Sequence, residues 1–118
     1  MRISIIIILL FCLASCGTTR STPKNLIEFD KFKIVVWQLM KADDYYVRKA
    51  VLDSTWRLNK TNIDLYKKVF DLNKVTVKDF YGTLEYYEKR PLLFQELMDS
   101  VESVSKKEKI ISKVPVVK

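Results

Sequence analysis

The chain has 118 residues, 48% of them hydrophobic and 30% charged, and a formal net charge of +7. That length holds one small domain, and that balance belongs to folded chains rather than disordered ones. With 2 Gly and 3 Pro the chain is neither collagen-like nor low-complexity; with no His it lacks the commonest general base and zinc ligand; its 2 Cys, both near the N-terminus, build no disulfide framework.

Met1-Arg2 gives a short positive start, and residues 3–14 are apolar apart from Ser4. A spanning helix needs roughly 20 apolar residues, so this run suits the core of a signal peptide. It ends in Leu13-Ala14-Ser15-Cys16, an aliphatic residue, two small residues and cysteine. That sequence resembles the bacterial lipobox, in which the cysteine sulfur receives a diacylglycerol and the chain is cut just before it. The expectation is therefore a signal peptide over residues 1–15, lipid attachment at Cys16, and membrane binding through two or more acyl chains, each contributing about 0.8 kcal/mol per buried CH₂. Gly17, where an Asp would retain the chain at the inner membrane, points to the outer membrane. The lack of an acid before Glu28 points to its periplasmic face.

Residues 16–24 read as a lipidated tether, polar and containing Pro23. Extended, the eight residues after Cys16 reach roughly 26 Å. A helical domain is expected over residues 25–105 and a flexible basic tail over 106–118. The first helix is expected over about 25–41, because Leu26, Phe29, Phe32, Val36 and Leu39-Met40 recur at steps of three and four. Residues 43–59 read as an irregular or helical connection, because Tyr and Val dilute the helical spacing of Val47, Val51 and Leu52.

A second helix is expected after Thr61 or Asn62 as cap, with Ile63, Tyr66 and Phe70 on one stripe and a break at Asn73-Lys74. A third starts with Thr76 as cap and Asp79 three residues on, a near capping box, and carries Phe80, Leu84 and Tyr87. Gly82 inside it suggests close packing. Pro91 fits the first position of a fourth helix bearing Phe94, Leu97, Met98 and Val101. The fold class is all-α, a small bundle of three to four short helices.

The series Phe70, Val75-Thr76, Phe80, Leu84, Tyr86-Tyr87, Pro91, Phe94, Leu97, Asp99 and Val101 resembles the "domain of unknown function 4296" family. The resemblance covers about residues 62–104, together with the lipobox and a proline-led first helix. Met98, where the pattern often has Tyr, and Gly82-Thr83 depart from it. The family consists of small lipoproteins of Bacteroidetes-type bacteria, so the resemblance implies a helical fold and an envelope location. It carries no established activity and no functional residue.

An enzyme is not expected. No His, reactive Cys or Gly-rich phosphate loop is present. The carboxylate pairs Asp43-Asp44 and Glu85/Glu88 read as a solvated helix end and a solvated helix face. No catalytic residue, metal site or cofactor is expected. Much of the excess charge sits after residue 105, where five Lys accompany one Glu. That tail suits solubility or attraction to anionic headgroups, and nothing resembles a module that reads nucleic acid. Six Phe, six Tyr and two Trp exceed what a small core readily buries. Trp37, Tyr45, Tyr46 and Trp56 are the candidate partner surface. The expected role is a non-catalytic, lipid-anchored interaction module of an envelope assembly, held to the membrane by its N-terminal lipid. The alternative is a module that binds a small ligand or lipid between its helices.

Overall fold

The computed structural model describes residues 24–113. The lipobox, Cys16, most of the tether and the last five residues lie outside the described residues. Among the described residues there are five helices and no strand: α1 (Phe29–Leu52), α2 (Thr55–Leu58), α3 (Thr61–Asn73), α4 (Val77–Glu88) and α5 (Pro91–Lys113).

The all-α expectation holds, with two boundaries corrected. The first helix starts later, after Glu28, and runs on to Leu52, so the first part of the segment read as an irregular or helical connection is helical. Asp43-Asp44 is thus mid-helix rather than a helix end. The fourth expected helix likewise continues to Lys113, so residues 106–113 are helical rather than a loose tail. The helix count rises to five because α2 forms a separate four-residue turn.

Caps follow local chemistry. Thr76 Oγ1 accepts from the Asp79 N–H at 3.0 Å, as the near capping box requires. The start of α3 departs from expectation. Lys60, not Thr61 or Asn62, is its cap, in the left-handed region at φ 50°. Lys74 closes α3 in the same region at φ 52°, a place where glycine is the usual occupant. Pro91 opens α5, where its missing N–H costs nothing.

The core is a chain of rings. Phe70 meets Phe80 at 5.2 Å between centroids, Phe80 meets Phe32 at 5.4 Å, and Phe32 stacks on Tyr87 at 5.5 Å. Such pairs contribute about 0.5–1.5 kcal/mol each beyond their area burial. Val35, Leu97 and Val101 close the interior. Phe29 and Phe94, expected in the core, pack at its margin. Tyr87 is buried and Tyr86 sits at the rim under Arg90, whose guanidinium lies 3.8 Å from the ring centroid.

One buried polar link ties the chain entry to α4. The Ile27 N–H donates to Thr83 Oγ1 at 3.0 Å, and that hydroxyl donates to the Asp79 carbonyl at 2.7 Å. Gly82 does not serve close packing: a Cβ there would meet nothing within 4 Å.

α1 and α3 run antiparallel. Asn73 Nδ2 donates to Gln38 Oε1 at 2.6 Å, and the Tyr66 hydroxyl donates to Asp43 Oδ1, so rising numbers on α3 meet falling numbers on α1. The end of α5 returns to α1 through Glu108, which accepts from the Trp37 indole N–H and, at 2.7 Å, from Lys41 Nζ.

Candidate functional site

The seam between α1 and α3 opens, beside α4, into an apolar cleft of about 330 Å³. Leu39, Met40 and Asp43 line it from α1, Tyr66 and Phe70 from α3, and Phe80, Tyr81 and Leu84 from α4. The three segments are brought together by the Phe70–Phe80–Phe32 ring chain, which holds α4 across the seam. Asp43 supplies the one charged side chain of this lining. Its carboxylate accepts the Tyr66 hydroxyl proton, and that bond, with partial burial second, pushes the Tyr66 pKa up to about 12.

Apolar residues continue beyond the cleft along the same seam. Met40, Val47 and Val51 follow at seven and eleven residues, one face of α1. Ile63 lies seven before Phe70 on α3, and the antiparallel pairing puts it level with Val47. Met40, Val47, Ile63 and Val51 are 46%, 52%, 57% and 73% exposed, so none of them is spent on the core. From Met40 to Val51 these side chains span about 17 Å along α1, at roughly 1.5 Å per helical residue. The flanking charges pair with each other. Arg48 bonds Asp44, and Lys67 bonds Asp71 at 2.7 Å.

The four aromatics named from sequence take different neighbours. Tyr45 and Trp56 meet edge to face at 5.7 Å, with Lys49 Nζ 5.6 Å from the Tyr45 centroid. Trp37 is turned to α5 by its bond to Glu108, with Lys41 Nζ 5.7 Å from its ring. Tyr46 is half-buried on α1. The cleft residues Leu39, Met40, Tyr66, Tyr81 and Leu84 escaped sequence reasoning as a site, because three distant segments supply them. One signal was available: Met40, Val47 and Val51 share a face that the core stripe of α1 does not use.

The carboxylate pairs are dispersed. Asp43 and Asp44 serve Tyr66 and Arg48 separately. Glu85 binds Lys89 at 2.6 Å, and that ammonium holds its carboxyl below the usual range. Among the described residues no three His, Cys, Asp or Glu side chains gather as a metal site, and no helix is long and apolar enough to cross a membrane.

A family model described as Domain of unknown function (DUF4296) matches residues 23–110. No curated protein and no solved structure matches the chain.

Proposed function

The chain belongs to the family Domain of unknown function (DUF4296), and from that premise we propose that it is a lipid-anchored interaction module of the bacterial envelope, without catalysis of its own. Cys16 is its attachment point, and the protein faces the periplasm from the outer membrane. The lipobox Leu13-Ala14-Ser15-Cys16 and Gly17 support this placement. The single observation that carries the interaction role is the apolar seam of α1 and α3. Its cleft and, past Asp43-Asp44, the exposed Val47, Ile63 and Val51 are apolar surface that the fold itself leaves uncovered. Such surfaces mark partner sites on small folded domains.

A second reading has one observation in its favour. The cleft volume, about 330 Å³, falls within the range of small-molecule sites, roughly 300–1,000 Å³. Its open side and its extension along α1 suit a macromolecular partner better than an enclosed ligand.

The test is affinity purification of the full-length lipoprotein in mild detergent, beside a Met40→Glu variant whose unfolding transition matches the parent. The module reading expects one protein recovered in stoichiometric amount with the parent and depleted about tenfold with Met40→Glu. Recovery of the monomer alone from both contradicts it. A bound small molecule seen by native mass spectrometry, with no protein partner, favours the second reading instead.

A further inference from the structure

Resting on the interaction reading above, we propose that the α1/α3 groove receives an amphipathic α-helix of a partner protein, about three turns long, with a basic residue set against Asp43. Three observations select this occupant. The groove is walled by two antiparallel helices, which satisfy their own backbone groups and offer no strand edge. An occupant that lies there must satisfy its own backbone too, as a helix does. The apolar stripe that α1 presents along the groove, about 17 Å from Met40 to Val51, equals three helical turns. Apolar side chains stand at three levels along it: Met40 with Phe70 in the cleft, then the exposed Val47 with Ile63, then Val51. That spacing meets an apolar stripe at steps of three and four on a facing helix.

Charge gives the third. The chain as a whole is strongly basic, at +7. The cleft nevertheless holds a carboxylate as its one charged lining group, and the neighbouring Arg48 and Lys67 are already engaged by Asp44 and Asp71. The groove therefore offers one carboxylate that is hydrogen-bonded to Tyr66 and, among the described residues, paired with no cation, in an apolar setting. It complements a Lys or Arg flanked by apolar residues and repels an anionic lipid headgroup or a fatty acid carboxylate.

The experiment is site-specific photo-cross-linking of the full-length lipoprotein in its native envelope. A photoreactive side chain replaces Val47 and Tyr81 in turn, and Leu72, on the opposite face of α3, serves as the control. Adducts are digested and the cross-linked peptides sequenced by mass spectrometry. Both groove positions are expected to reach one partner, within a single stretch that has apolar residues at helical spacing and a Lys or Arg among them. Leu72 is expected to reach it weakly or not at all. Asp43→Lys lowers the groove adducts about tenfold, and reversing the partner's basic residue to Glu restores them. Asp43→Asn, which keeps the shape and a hydrogen bond to Tyr66, lowers them less, so a folding defect in Asp43→Lys does not decide the matter. Adducts to lipid, to a second copy, to residues 114–118 of the same chain, or to an acidic or irregular partner segment overturn the proposal. If one of these is found while Met40→Glu still depletes a co-purified protein, the interaction reading stands and only the occupant is wrong. If no protein is depleted either, both fall.

Discussion

At the scale of single residues, two side chains fix how the chain enters the bundle and how the cleft is held. Thr83 is fully buried, and its hydroxyl is the acceptor for the Ile27 N–H. Thr83→Val keeps the volume and removes the acceptor. An orphaned buried N–H costs about 1–3 kcal/mol, so the urea midpoint should fall accordingly, and Thr83→Ser should recover most of that loss. Tyr66 gives a second prediction. Its hydroxyl bond to Asp43 stabilises the neutral phenol in the folded state and raises its pKa from 10.0 to about 12. A raised folded pKa means a contribution that is complete below the unfolded value and lost as pH climbs to the folded one. In an absorbance titration, the tyrosine missing from Tyr66→Phe should be the one that ionises near 12. Asp43→Ala should bring that transition down towards the ordinary tyrosine range.

At the scale of helices, Gly82 and Glu108 have opposite standing. Gly82 lies within α4, with open space where its Cβ would be. Gly82→Ala should therefore stabilise the fold by about 1 kcal/mol through helix propensity alone. The melting temperature should rise about 4–8 °C for a domain of this size. Glu108 is the link from the end of α5 to Trp37 and Lys41, and both partners hold its carboxyl below the usual range, Lys41 first. A lowered folded pKa gives stability present above the unfolded value and lost as pH falls through the folded one, so acidification should loosen this end. Glu108→Ala should do so at neutral pH: amides of residues 106–113 should exchange several-fold faster while those of residues 94–101 stay protected. The sequence conveyed helices wherever an apolar stripe met a cap, as at Thr76 and Pro91. It hid them where long-range contacts do the holding. Asp43-Asp44 interrupts the stripe of α1, yet one carboxylate reaches Tyr66 on α3 and the other bonds Arg48 one turn on. The lysine-rich run after Ser105 reads as loose because Glu108's partners lie some 70 positions earlier, at Trp37 and Lys41, 71 and 67 residues away. The cleft was illegible for a related reason. Leu39, Tyr66 and Leu84 look like ordinary stripe residues of three helices, and only the approach of α4 to the α1/α3 seam turns them into one surface.

At the scale of the whole molecule, the proposed anchor at Cys16 and the proposed partner face on α1 and α3 would act together. Acyl chains at Cys16 would confine the domain to within roughly 26 Å of the bilayer along an extended tether. Confinement of that kind raises the local concentration of a partner in the same membrane, so a groove of modest affinity suffices. Two or more acyl chains hold stably where one does not, which makes the state of Cys16 the hinge of the account. Intact-mass analysis of the mature protein purified from membranes measures it directly. The mature chain should begin at Cys16 and carry at least a diacylglyceryl group. A chain that still begins at Met1, or one starting at Cys16 with no added lipid mass, would contradict it.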